Sequence, residues 1–186
     1  MFYSQTYSGI NFTENPLPFG DYESCEFENC SFENADLSAY NFIDSKFINC
    51  NFSLCNIKDT GFRDVEFQKC KLLGLHFETC NKLLLIVKFT SCLLNLSSFY
   101  QLKIKKTEFY DCQLHDVDFA ESDLSSSKFI NCDLKSAIFE NTNLNGVDFR
   151  TAINYTIDPE QNRITKARFS IEGIAGLLGK YNINIE

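Results

Sequence analysis

The sequence predicts an all-β fold, a quadrilateral β-helix of square coils with a short helix and strand at its C-terminus. Three observations predict it. Between Phe109 and Phe149 every fifth residue is large and apolar: Phe109, Leu114, Phe119, Leu124, Phe129, Leu134, Phe139, Leu144 and Phe149. Two places before each stands a small or modest residue, such as Thr107, Cys112 or Val117, and nearly everything between is polar. A helix face repeats at about 3.6 residues and a strand at about 2. A period of five therefore means a chain that turns a corner every five residues. The third observation is a longer period: Phe27, Phe47, Phe67, Phe89, Phe109, Phe129 and Phe149 recur every 20 residues, with a single step of 22. Four sides of five close one coil, so like residues stack on like. These seven phenylalanines are the expected core anchors.

Residues 1–20 are expected to be an irregular first coil or an N-terminal cap. The anchor arithmetic reaches Leu17, Phe12, Tyr7 and Phe2, but Pro16, Pro18 and Gly20 interrupt the polar positions. Residues 21–150 form the β-helix. Between Phe77 and Leu84 the step is seven, which places two inserted residues within Glu78–Leu83. Roughly seven coils stacked ~4.8 Å apart give a rod on the order of 35 Å long, in which each coil touches only its neighbours. A polar anchor should be poorly tolerated.

After Phe149 the pattern is expected to stop, because Asn154 and Pro159 occupy the next anchor slots. Residues 151–186 then read as a linker followed by a terminal module. Ser170 is a helix N-cap candidate. Ile171, Ile174, Leu177, Leu178 and Tyr181 form a helical apolar stripe. Gly173, Gly176 and Gly179 weaken that helix and permit a neighbour to approach closely. Asn182–Ile185 alternates with period two, as a short strand does. Two uses of this tail stand side by side: a cap over the last coil, or a two-fold contact with a second copy.

Composition excludes several functions. The chain has 186 residues, 44% of them hydrophobic, and a net charge of −8. Such a balance disfavours direct nucleic-acid binding and suits a basic partner surface. The N-terminus lacks the basic and apolar regions of a signal peptide. The longest apolar run, Leu83 to Val87, is far too short to span a bilayer. A bacterial-type cytoplasmic protein without membrane contact is expected. The nine cysteines include no CxxC pair and each lies two places before an anchor slot, so they read as small buried hydrophobes. His76 and His115 flank anchors on different coils, beside no nucleophile. No enzyme, metal or cofactor is expected.

Charge is more informative. Residues 1–45 carry eight acids and no Lys or Arg, residues 46–107 sum to +6, and residues 108–149 sum to −7. Asp just before an anchor is a repeat preference, since a short polar side chain can satisfy turn N–H groups. Asp118 and Asp123 are of that kind. Asp111, Asp116 and Glu121 lie two places after an anchor in three consecutive repeats and lack that explanation. These five are the candidate acidic partner-binding face. Lys103, Lys105 and Lys106 read as a solvated cluster or a second binding patch.

Stretches such as Asn34-Ala35-Asp36-Leu37-Ser38 and Glu121-Ser122-Asp123-Leu124 resemble the A(D/N)Lxx motif of the pentapeptide repeat family over about residues 21–150. That resemblance implies a right-handed quadrilateral β-helix. The tail and the segment Ile157–Ile164 resemble the members that protect type II topoisomerases, of the quinolone-resistance and microcin-immunity types. It implies a homodimer formed through the C-terminus, with Ile171, Ile174, Leu177, Leu178, Tyr181, Ile183 and Ile185 at the interface. It further implies a DNA-mimicking rod that binds DNA gyrase or topoisomerase IV and protects it from quinolones or a toxin. This chain lacks the sizeable loops of Gram-negative members, and its middle band is basic. The other expectation is a generic protein-binding or scaffold rod, with the basic band as its contact.

Overall fold

The protein is a right-handed parallel β-helix of square coils, described over residues 1–184 in a computed structural model. Strands Phe2–Tyr3, Asp21–Glu23 and Asn41–Ile43 stack in parallel on one side. Thr6–Ser8, Glu26–Glu28 and Lys46–Ile48 stack on the next. The longer strand Gly61–Gln68 turns the corner and joins both sides. Leu85–Thr90, Glu108–Tyr110 and Lys128–Ile130 continue the second side. The other two sides are held by single parallel bridges such as Asp36 to Asn56 and Gln113 to Asp133. Residues 21–150 make about six turns, close to the seven expected.

The corners explain the polar residues. Nearly every non-glycine residue with positive φ lies two places after an anchor, among them Asn29, Asn34, Asp44, Asp111 and Asp116. This left-handed conformation is open to Asn and Asp at lower cost than to most residues. Where the small corner residue carries a hydroxyl, it often bonds to the coil below. Thr60 Oγ1 donates to the Leu37 carbonyl at 2.7 Å and Thr142 Oγ1 to that of Phe119 at 2.9 Å. Most cysteine thiols, though not Cys55 or Cys112, take the same role: Cys50 Sγ lies 3.3 Å from the Phe27 carbonyl. All nine cysteines are buried and free.

The core is four columns of anchors. The seven expected phenylalanines belong to one unbroken column that runs from Tyr7 through Phe27 and Phe149 to Phe169. Its rings stack with centroids 4.7 to 5.5 Å apart. The other columns change character midway. Phe2, Tyr22, Phe42 and Phe62 give way to Leu85, Ile104, Leu124 and Leu144; Phe12, Phe32 and Phe52 give way to Leu72, Leu94 and Leu114. On the opposite side Leu17, Leu37 and Ile57 give way to Phe77, Phe99, Phe119 and Phe139. Early coils thus hold three aromatic rings and late coils two, facing each other edge to face, as Phe89 and Phe99 do at 6.0 Å.

The change coincides with the insertion. Short 3-10 turns at Phe77–Thr79 and Lys82–Leu84 absorb the extra residues, and the Asn81 side chain accepts the Leu83 N–H at 3.2 Å. Leu85, not Leu84, resumes the core above Phe62, and Leu83 is 92% exposed. The step of seven locates the insertion but misplaces the anchor, because the 3-10 turn rotates Leu84 out of its slot.

The stack runs past Phe149. Ile153, Arg163 and Arg168 bridge to Asp133, Asn143 and Asp148, and Phe169 stacks on Phe149. The segment expected to be a linker is therefore a further coil. Tyr155 and Ile157 fill it in place of Asn154 and Pro159, and Ile164 and Phe169 return to the five-residue register. Irregular residues also close the first coil, around Thr13–Phe19, while Phe2 and Tyr7 already stack on Tyr22 and Phe27.

In the tail, Ser170 Oγ accepts the Gly173 N–H at 3.0 Å, as an N-cap does. Two 3-10 turns come next, Ile174–Leu177 and Gly179–Tyr181, rather than one α-helical stripe. Gly173 and Gly176 lie against Tyr155, where any Cβ would collide with its ring, hydroxyl or carbonyl. The neighbour these glycines admit belongs to the same chain. Asn182–Asn184 pair with no strand among the described residues, outside which Ile185 lies.

Candidate functional site: the charged sides of the rod

Outward side chains come from the residues flanking each anchor, and each repeat turns the chain by a quarter circle. A straight face is therefore read every 20 residues, not every five. In one coil the four sides are those of Phe109, Leu114, Phe119 and Leu124.

The five candidate acids sort accordingly. Asp118 is on the Phe119 side, with Asp116 and Glu121 at its two corners; Asp111 is one corner further back and Asp123 is on the Leu124 side. The structure brings three of them around one side and does not place all five on one face. The left-handed corners also account for Asp111 and Asp116, at φ 52° and 55°. Glu121, at φ 56°, has no such conformational advantage. Its carboxylate accepts hydrogen bonds from Tyr100 Oη at 3.1 Å and Gln101 Nε2 at 2.7 Å. The first of these bonds holds the Tyr100 proton, raising its pKa above the ordinary value.

At the 20-residue step, the Phe119 side and its further corner carry Asp36, Asp59, Glu78, Asp118, Glu121 and Glu140 against Lys58. At the distal end Lys180 reaches back from the tail to Asp158 at 2.9 Å and Glu160 at 2.6 Å. The Ser38 hydroxyl and N–H hold the Asp36 carboxyl below the usual range. Counting acids along the chain misses this strip, because every band of the sequence mixes all four sides.

The Phe109 side is different. Just before each anchor it carries Glu26, Lys46, Glu66, Lys88, Glu108, Lys128, Asp148 and Arg168, eight charges of strictly alternating sign in parallel register. Lys46 and Lys88 flank Glu66 at 3.8 and 3.9 Å, and Lys128 meets Glu108 at 2.7 Å. Arg150 grips Asp148 through Nε and Nη2 at 2.9 and 2.8 Å, and Arg168 adds a contact at 3.3 Å. This side is electroneutral.

On the Leu124 side Lys105 pairs with Asp123 at 3.1 Å. Lys103 and Lys106 are exposed and make no ion pair among the described residues. On the Leu114 side His115 Nε2 lies 2.8 Å from Asp133 Oδ2, though out of hydrogen-bond alignment. No group of three His, Cys, Asp or Glu side chains has metal-binding geometry among the described residues.

The expected dimer residues divide. Ile171, Ile174, Tyr181 and Ile183 are exposed, Ile171 by 85%. Leu177 and Leu178 are half-buried, and Leu177 packs against the chain's own core. The tail caps the last coil and presents a second apolar surface outward.

The family model described as the pentapeptide repeat region matches residues 21–83 and 75–149. A trypsin-treated variant of QnrB1, a plasmid-mediated fluoroquinolone resistance protein, has a similar structure with a TM-score of 0.68. The two are 16% identical over 100% of this chain and 99% of that one. Full-length QnrB1 gives 0.51 at 18% identity, over 97% and 99% of the chains. At these identities the likeness is one of fold. A search of curated proteins finds no match.

Proposed function

Since this chain belongs to the pentapeptide repeat family, we propose that it is a non-enzymatic cytoplasmic rod that occupies the DNA-binding surface of DNA gyrase or topoisomerase IV. In doing so it protects the enzyme from quinolones or from a topoisomerase-directed toxin. The observation that carries this reading is the acidic strip on the Phe119 side, centred on Asp118, Glu121 and Glu140. Its charges line one side of a rigid rod, as phosphates line a duplex, and would meet a basic, DNA-binding groove. The fold shared with QnrB1, a fluoroquinolone resistance protein, agrees with it. The Phe109 side is balanced in charge, so mimicry is confined to the acidic strip.

Dimerisation through the tail belongs to the same proposal. Exposed Ile171, Ile174, Tyr181 and Ile183 supply its apolar contact, and two rods joined end to end extend the strip. A supercoiling assay with and without a fluoroquinolone tests the function. Inhibition at high protein concentration and relief of drug-induced cleavage are expected; neither effect at any concentration overturns it.

Lys103 and Lys106 favour a second reading, a scaffold that holds an acidic partner on the Leu124 side. A binding partner retained by the native chain and lost when both are changed to Glu would support it over the first.

A further inference from the structure

The Phe109 side has a symmetry that its internal ion pairs do not require. Its eight charges alternate in sign and are even in number. Reversing the row end for end therefore places every charge opposite its contrary: Glu26 opposite Arg168, Lys46 opposite Asp148, Glu66 opposite Lys128 and Lys88 opposite Glu108. We propose that this side is a self-complementary surface on which a second copy of the chain docks antiparallel, side to side, about a two-fold axis midway between Lys88 and Glu108.

The geometry of the side suits such a contact. It is the most regular strand-built side of the rod, continuous from Glu26 to Ile130. The inserted residues fall outside the charged row, and Glu66 remains in register with Lys88. Beside the charges, Ile48, Tyr110 and Ile130 add half-buried apolar patches to a row that also carries Gln68 and Thr90. The internal pairs leave the charged tips accessible: the side chains of Lys46, Glu66, Lys88 and Lys128 are 40 to 47% exposed. Asp148, enclosed by Arg150 and Arg168, contributes least.

Size sets the strength. Eight tiers ~4.8 Å apart and about three residues wide present on the order of 400 Å² per copy. That is below the roughly 1,200 Å² in total at which stable complexes begin. The contact is accordingly weak, and being electrostatic it weakens as salt is added. The proposed apolar tail contact responds to salt in the opposite sense.

The test separates pairing within a chain from pairing between chains. Lys88→Glu sets a new carboxylate against Glu108 of the other copy, twice per dimer by symmetry. In sedimentation equilibrium at low salt it should weaken side-to-side association about tenfold. Adding Glu108→Lys restores both intermolecular pairs. Within each chain it leaves like charges adjacent, two carboxylates at positions 66 and 88 and two ammonium groups at positions 108 and 128. If the surface works as proposed, the double variant associates as the native chain does, although it melts lower. Native association insensitive to salt, or a double variant that associates no better than Lys88→Glu, overturns the proposal. Melting curves of all three proteins confirm that each is folded.

Discussion

Phe169 stacks on Phe149 with centroids 5.4 Å apart and planes 4° apart, the same relation that joins Phe149 to Phe129. The rod therefore ends on an aromatic ring that only the tail covers. Phe169→Ala should lower stability by about 2 kcal/mol, less than a fully buried Phe→Ala because the ring is half-buried. Hydrogen exchange should quicken selectively over residues 163–177, while amides near Phe67 keep their protection.

Gly176 lies against Tyr155, and its carbonyl accepts the Ile157 N–H at 2.9 Å. Gly176→Ala should lift the tail from the last coil without disturbing the coils before it. Limited proteolysis should then cut near residue 170 and leave the remaining rod intact. A cleavage pattern like that of the native chain would contradict the described packing.

Ile174 is exposed whereas Leu177 supports the cap. Ile174→Asp should therefore abolish tail-mediated dimerisation with little change in melting temperature. Leu177→Asp should cost both dimer and cap. Sedimentation and thermal melting, run on both variants, distinguish the two roles.

Acid should weaken the distal coils through Asp148. The Arg150 hydrogen bond holds the Asp148 carboxyl below the usual carboxylate range when folded. A depressed folded pKa stabilises the protein above the unfolded pKa, near 4, and that stability is lost as pH falls through the folded value. Asp148→Asn should cost about 1–2 kcal/mol at neutral pH and flatten the pH dependence of melting below pH ~4. An unchanged acid slope would show that other carboxylates govern it.

Neutralising the acidic strip should separate function from fold. Asp118→Asn, Glu121→Gln and Glu140→Gln together should leave melting within about 1 kcal/mol, since exposed charges contribute little. Topoisomerase protection should be lost. Changing Asp111 and Asp116 to Asn preserves their left-handed corners and should have a smaller effect.

Much of this architecture is legible in the residues. The five-residue anchors, the buried cysteines and the presence of an insertion all follow from periodicity, because inward positions obey one rule of size. Asn154 and Pro159 hide the last coil, although Ile164 and Phe169 stand in register beyond them. Asn162 can replace a small corner residue because its amide donates to the Phe139 carbonyl at 2.8 Å and its oxygen accepts the Thr142 N–H at 2.9 Å. Faces are harder to see. Asp111, Asp116 and Glu121 look alike at a step of five, yet a quarter turn separates each from the next. Only the 20-residue step, corrected by two at the insertion, reveals the acidic strip and the alternating row.

The midway change from three aromatic columns to two makes the rod mechanically unequal along its length. Pulled from its N-terminus, it would peel coil by coil, each release tearing away stacked rings. Past the insertion the torn layer holds two rings instead of three, and the resisting force should step down there. A force–extension trace would then show a long, even sawtooth broken by one change of height. The seam where two residues were added would behave like a joint between two different timbers.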